Sequence, residues 1–108
     1  MIITTTSNIE GYHITEYVQL VSANVVVGTN IFSDWFASLT DVLGGKSRTY
    51  QRKLDDVYAA AIKQVEREAQ QLGADAIVGL KVDFGEISGK DKSMLMVSAV
   101  GTAVKISR

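Results

Sequence analysis

A pair of glycines followed by basic residues is the part of this sequence whose spacing most directly suggests chemistry. Positions 44–53 hold four of the chain's eleven lysine and arginine residues and no acid. Backbone amides at the start of a helix have no partner in the preceding turn, and the helix dipole attracts negative charge there. Arg48 and Arg52 are four residues apart and can converge on one ligand. The candidate anion site consists of Gly44, Gly45, Lys46, Ser47, Arg48 and Arg52.

A helix start without a ligand explains the same segment, and we favour that interpretation from the sequence. The Ser47 hydroxyl can cap the helix by itself, and the basic side chains then form a solvated turn. A P-loop is excluded, because the first glycine of that motif would fall on Thr40. The segment also follows a predicted helix, whereas a P-loop follows a strand.

Soft-metal binding has little support from the residue inventory. Copper(I), mercury and cadmium prefer sulfur ligands, but the chain has no cysteine, one histidine and three methionines. Met94 and Met96 share one face of an apolar strand, where we expect them to be core residues. We therefore predict no heavy-metal site and no bound cofactor.

Harder metals would need His13 or a symmetric set of carboxylates. Glu10 and Glu16 flank His13, but in an extended strand they point to the face opposite from the imidazole. Zinc is therefore not predicted. In a ring, one carboxylate per subunit becomes several around the axis, which suits calcium or magnesium. The carboxylates open to that role are Asp34, Asp83 and Glu86.

Motifs for nucleophilic catalysis are not found, so no catalytic residue is predicted. A serine nucleophile would need His13 beside a particular serine, and the Gly-x-Ser-x-Gly turn typical of such serines does not occur. Two classes of function stay open. One is a ring that binds a small anion, a metal ion or a protein partner, and the other is an enzyme whose site lies between subunits. The missing nucleophile–base motif favours the binding ring.

Length and composition indicate one globular domain over residues 1–108. The chain is 46% hydrophobic and carries a net charge of −1. A nucleic-acid-binding domain would have a basic excess to neutralise phosphates, so nucleic acid is not an expected partner. The first residues lack the pattern of a secretory signal, and no apolar run approaches the ~18 residues of a membrane helix. We therefore expect a cytoplasmic protein without a membrane partner.

Hydrophobic periodicity predicts the elements that would position these residues. Alternation predicts a short strand at 2–6, one long strand or two shorter ones at 13–27, and two closing strands joined by a turn at 88–91. Helical spacing predicts one helix from Asn30 to the glycine pair, and another from about Ser47 to Leu72 that ends at Gly73. The buried stripe of this second helix is predicted to be Tyr50, Leu54, Val57, Tyr58, Ala61, Ile62, Val65, Ala69 and Leu72.

The dimensions of the second helix suggest that it is too long for a compact monomer. At 1.5 Å per residue it would be roughly 35 Å long. A compact domain of this size has a diameter of only ~26 Å. A second copy of the chain would supply the missing cover.

The two closing strands differ in how many faces they are expected to bury. In the first, apolar positions alternate with charged ones and predict a single buried face, formed by Val78, Leu80, Val82 and Phe84. In the last, residues 94–104 carry no charge on either face. Its odd-numbered face has small residues, and we expect a second subunit to approach closely there. The charge in Gly101→Glu should then disrupt assembly. The alternative is a central strand covered by two helices of its own chain.

Four segments of the chain, in their order and spacing, resemble the YbjQ-like family of bacteria. They are residues 28–34 (GTNIFSD), 44–47 (GGKS), 72–79 (LGADAIVG) and 94–104 (MLMVSAVGTAV). The resemblance covers essentially the whole chain. It implies a β-α-β-β subunit with added short strands, assembled into a homopentameric ring. The family is uncharacterised, carries the label "putative heavy-metal-binding" and has no established catalytic residues. Its members often have an acid where this chain has Gln51.

Residues and resemblance together predict a two-layer α+β subunit of the β-α-β-β type, with additional short strands and a long amphipathic helix. We expect this subunit to assemble into a homo-oligomeric, pentameric ring. We expect the ring to bind a small ligand, an ion or a protein partner without catalysing a reaction. An enzyme with an intersubunit active site is the alternative.

Overall fold

The described part of the protein is a four-stranded mixed sheet with one long helix on one of its faces. A computed structural model describes residues 1–27, 45–88 and 93–108, and describes side chains at 1–27, 54–86 and 94–108. The elements are β1 (Ile2–Ile3), β2 (His13–Val27), α1 (Gly45–Gln71), β3 (Ala76–Ser88) and β4 (Ser93–Ser107). The strand order is β1-β3-β4-β2, with β1 parallel to β3 and the other neighbours antiparallel. This arrangement confirms the α+β class, while ring assembly stays a prediction.

The element boundaries agree with the sequence prediction, with local differences. The segment 13–27 is one continuous strand, and β1 is shorter than predicted. Helix α1 begins at Gly45, so Ser47 lies inside its first turn instead of capping it. Gly73, with a φ of 75°, follows the helix as predicted. The predicted first helix and the turn after Ser88 lie outside the described residues. No helix of the described ranges is long and apolar enough to cross a membrane.

Helix α1 packs on the sheet through side chains spaced four residues apart. Val57, Ala61, Val65 and Ala69 are buried, because this spacing places them on one face of the helix. The predicted stripe is confirmed for them, and four further members are partly buried: Leu54, Tyr58, Ile62 and Leu72. The side chain of Tyr50 lies outside the described residues.

The odd-numbered face of β4 lies under α1, so the expectation that a second subunit approaches this face is wrong. Leu95, Val97, Ala99 and Ala103 are fully buried in one cluster with the helix stripe. The small residues let the protein's own helix come close. Gly101 is buried on the same strand, and a Cβ there would lie 2.7 Å from Ile77 Cγ2. A charge at this position would therefore destabilise the fold of a single chain.

The sheet is as long as the helix, which corrects the argument from helix length. Strands β2 and β4 have 15 residues each, or roughly 50 Å at 3.4 Å per residue. The described residues span 53 × 27 × 19 Å. The premise of a compact, nearly spherical monomer is therefore wrong, and the sheet itself supports the helix.

A bulge in β3 exchanges the faces of the strand. The register against β4 shifts between Val78 and Lys81, where Gly79 has a φ of 62°. That left-handed conformation favours glycine, which has no Cβ to collide with the backbone. Val78 therefore packs on the face opposite to α1, whereas Leu80 joins the main core. The prediction of one apolar face along β3 is wrong at this point.

Candidate functional site

The face of the sheet opposite to α1, which we call the helix-free face, is covered at one end by the N-terminal segment. Ala76, Val78 and Val104 are buried there. The partly buried side chains packed against them are Ile9, Ile14 and Ile106. This second small core confirms that β4 buries apolar side chains on both faces, although only over part of its length.

Beyond this cover, the helix-free face presents an open apolar patch formed by Leu20, Val26, Met94, Met96 and Val100. Leu20 is 63% exposed, Val26 54%, Val100 40% and Met94 37%, and Met96 is half-buried. Val26 lies directly opposite Met96 in the ladder between β2 and β4. Large apolar side chains that share one exposed face are typical of a surface that contacts another molecule.

A polar pair divides the open apolar patch into two halves. Ser98 Oγ donates a hydrogen bond to Asn24 Oδ1 at 2.7 Å, and the two residues are direct cross-strand partners. Val26, Met94 and Met96 lie on one side of the pair. The NH2 group of Asn24 can donate to a further partner. A partner on this face must therefore match an apolar–polar–apolar pattern, which restricts its register.

The C-terminal residue holds the N-terminal segment in place. Arg108 Nη2 donates to Tyr12 Oη at 3.0 Å, and the guanidinium carbon lies 5.1 Å from the centroid of the Tyr12 ring. The hydrogen bond with Tyr12, followed by the charge interaction with it, raises the pKa of Arg108 above its ordinary value. Both groups are at the surface, so this contact orients the segment and is not a catalytic arrangement.

An open depression of about 530 Å³ lies along the same N-terminal segment. Its polar groups bond mainly to one another. The hydroxyl oxygens of Thr4 and Thr6 are 2.8 Å apart, and the Thr6 hydroxyl donates to the Asn8 carbonyl at 2.6 Å. Because these groups already serve the local fold, they do not converge on a ligand in the way that an active site requires.

The described residues considered for metal binding do not form a ligand cluster. His13, Glu10 and Glu16 are exposed, and no group of three metal-ligating side chains occurs in the described ranges. Met94 and Met96 lie on the helix-free face, so the expectation that they are core residues of the chain is not met for Met94, which is exposed.

Soft metals are expected to bind weakly. A tight copper(I), mercury or cadmium site needs thiolate or several thioether ligands, and the chain has no cysteine. Dialysis against each metal followed by elemental analysis should find well under one metal per chain. Stoichiometric retention that is lost in Met94→Leu with Met96→Leu would contradict this prediction, and His13→Gln is the matched control.

The candidate anion site at the start of α1 stays a prediction. The backbone is helical from Gly45 onward, but Gly44 and the side chains of residues 45–53 lie outside the described part. Since the helix begins at Gly45, residue 47 lies within its first turn and not at the N-cap position. The described residues test neither the anion site nor the alternative of a helix start without a ligand.

An anion at this site would stabilise the protein against heat. Phosphate at ten times its Kd would add roughly 1.4 kcal/mol and raise Tm beyond a chloride control of equal ionic strength. Lys46→Ala with Arg48→Ala should abolish the difference, while Lys63→Ala in the exposed middle of α1 should keep it. An equal response of wild type and double variant would show that the turn is only a helix start.

The contacts that sequence reasoning missed join residues far apart in the chain. Asn24 meets Ser98 across 74 positions, and Tyr12 meets Arg108 across 96. The one available signal is Ser22 and Asn24 at alternate positions of the otherwise apolar segment 20–27, which indicates a face that is not fully buried. Their partners depend on the register with β4, which the sequence does not specify.

These features define a two-layer α+β domain with a half-open sheet, and comparisons identify its family. The chain belongs to the YbjQ family, whose model, described as "Putative heavy-metal-binding", matches residues 1–107. It is 48% identical over 106 residues to a UPF0145 protein of Actinobacillus pleuropneumoniae serotype 5b (strain L20), covering 98% of this chain and 99% of the relative. A UPF0145 protein of Pasteurella multocida (strain Pm70) is 43% identical with the same coverage.

The fold is also present in a solved structure. A protein of unknown function from Pediococcus pentosaceus ATCC 25745, which belongs to the DUF74 family, superposes with a TM-score of 0.68. The match covers 99% of this chain and 98% of that one, at 22% sequence identity. At this identity the likeness supports the fold alone.

Proposed function

We propose that the protein functions as a non-catalytic homopentameric ring that binds a small ligand, an ion or a protein partner. The observation that carries this proposal is the open apolar patch on the helix-free face. Burying such a surface against another copy removes it from water, which contributes roughly 25 cal/mol for each Å² of apolar area. Assembly is thus the simplest way to complete the half-covered sheet.

The number of subunits in this proposal is the one that the sequence resemblance to the YbjQ-like family implies. An odd-numbered ring joins two different surfaces of each subunit, because a two-fold contact closes after two copies. The described chain offers two such surfaces, since its sheet is open along the outer edge of β2 and along part of the outer edge of β3.

The functional part of the proposal is a surface created by assembly. Repetition of one subunit around an axis brings equivalent side chains together. A side chain that binds an ion weakly in one chain then contributes one ligand per subunit to a shared site in the ring. We place this ring in the cytoplasm, as the sequence suggests. Its partner class is a small ligand, an ion or a protein, and no catalytic step is assigned.

A structure of the assembled particle, purified without added ligand, tests the proposal. We expect five copies around one axis, the open apolar patch covered by neighbouring subunits, and ligand density in an axial or shallow surface position. A deep pocket between subunits, lined by polar groups of two chains, would contradict the non-catalytic assignment. A particle of one or two chains would contradict the ring.

A further inference from the structure

The outer edge of β2 is a long row of backbone groups without a neighbouring strand in the described residues. Residues 20–27 contain no charge and pair in continuous register with β4. The Ser22 amide donates to Glu68 Oε2 at 3.4 Å, so it points away from β4. The N–H and C=O groups of successive residues point alternately toward and away from the partner strand in an antiparallel ladder. Those of Asn24 and Val26 therefore also point away from β4. Apart from the Glu68 carboxylate at the Ser22 amide, which a pairing strand would displace, the described residues leave this edge open as a template for another strand.

The outer edge of β3 becomes open where the N-terminal segment ends. Thr4 bonds to both Ile77 and Leu80, which covers the first part of β3. The following residues, 81–88, have no neighbouring strand on this side in the described part of the chain. This open stretch has eight residues, enough to pair with residues 20–27 of β2.

The direction of the strands and the faces of their side chains make these two edges compatible. Both β2 and β3 are antiparallel to β4, so they run in the same direction. Ser22 and Lys81 are both paired with Val100, and Asn24 and Asp83 are both paired with Ser98. These residues therefore share the helix-free face.

The backbone alternation then selects parallel pairing between two copies. In the ladder, β4 residues that bond to β2 alternate with those that bond to β3. The N–H and C=O groups of Lys81 and Asp83 consequently point toward β4, whereas those of Ser22 and Asn24 point away from β4. Two residues that lie side by side in a parallel pair of strands differ in their backbone groups. The N–H and C=O groups of one point to the partner strand, and those of the other point away from it. Parallel pairing thus places like faces together and keeps all helices on one side.

We propose that copies of this chain join edge to edge, with residues 20–27 of one copy pairing in parallel with residues 81–88 of the next. This inference rests on the proposed ring and names the contact that builds it. Antiparallel pairing of the same edges would place Ser22 opposite a residue of the helix-covered face and turn alternate copies over. Pairing of β2 with a second β2 keeps the faces aligned but closes a two-fold dimer.

Engineered disulfides test this contact cleanly, because the natural chain has no cysteine. Adjacent strands lie about 4.8 Å apart, within the Cα separation of roughly 4.4–6.8 Å that a disulfide spans. The test variants are Ser22→Cys with Asp83→Cys and, for a register shifted by two residues, Ser22→Cys with Lys81→Cys. Ser22→Cys with Lys63→Cys, whose second position is exposed on α1, is the matched control.

Mild oxidation should convert one of the two test variants into a ladder of linked chains of up to five chain masses, seen by denaturing electrophoresis without reductant. The control should stay unlinked. A particle of five chain masses without a ladder in either test variant would overturn the edge contact and leave the ring. Self-linking of Ser22→Cys alone would also overturn it in favour of two-fold pairing. A monomeric particle would overturn both the contact and the ring.

Discussion

The variant Gly101→Glu is expected to be unfolded, not simply separated into single chains. Gly101 is buried, and a Cβ at this position would lie 2.7 Å from Ile77 Cγ2 and 3.4 Å from Leu80 Cδ1. The carboxylate would enter the core beneath α1, where burial of an unpaired charge costs several kcal/mol. That cost approaches the full stability of a small domain, roughly 5–15 kcal/mol.

The smaller change Gly101→Ala gives a measurable version of the same effect. Because Ile77 is fully buried, its methyl group cannot move away freely, and we expect a loss of about 1–3 kcal/mol in the free energy of unfolding. Gly85→Ala is the control, since the nearest atoms to its Cβ are those of Met96 at 3.9 Å. Urea unfolding at a fixed protein concentration measures both. Equal stability of the two variants would show that Gly101 is not tightly packed.

The variant Val100→Lys is expected to fold and to remain monomeric. Val100 is 40% exposed on the helix-free face, so a single chain tolerates a lysine there, at a cost of up to about 1 kcal/mol from the like charge of its cross-strand partner Lys81. In the assembly its charge would be buried or would meet its equivalents, at a cost of several kcal/mol per contact. The mass of the particle at micromolar concentration should fall to that of one chain, with an unchanged far-ultraviolet circular dichroism spectrum.

The matched control for Val100→Lys is Gln19→Lys, which adds the same charge at an exposed position of β2 outside the open apolar patch. It should leave the mass of the particle unchanged. If Val100→Lys keeps the mass of the wild type, the open apolar patch is not part of a subunit interface. If both variants dissociate, net charge and not the patch controls assembly.

Sequence periodicity predicted the elements of this fold well, because each element carries its own signal. The four-residue spacing from Val57 to Ala69 identified the helix stripe, and Gly73 identified its end. The alternation in β3 was interpreted wrongly because the bulge at Gly79 exchanges its faces. Such a bulge depends on the partner strand, and the alternation of side chains alone does not reveal it.

The two faces of β4 show the same limit. Both faces are apolar in the sequence, and the small residues around Gly101 indicated a close neighbour without indicating which one. The structure assigns that neighbour to α1 and leaves Val100 and Met94 on the open side. The polar pair of Asn24 and Ser98 could not be predicted either, since it requires the register of two strands.

Self-assembly is the central claim, and the mass of the wild-type particle tests it most directly. Size-exclusion chromatography with light scattering at micromolar concentration should give five times the chain mass of 11.7 kDa. The value should persist on tenfold dilution, because the proposed contacts would give a Kd well below these concentrations. A clean monomer of 11.7 kDa would contradict the claim.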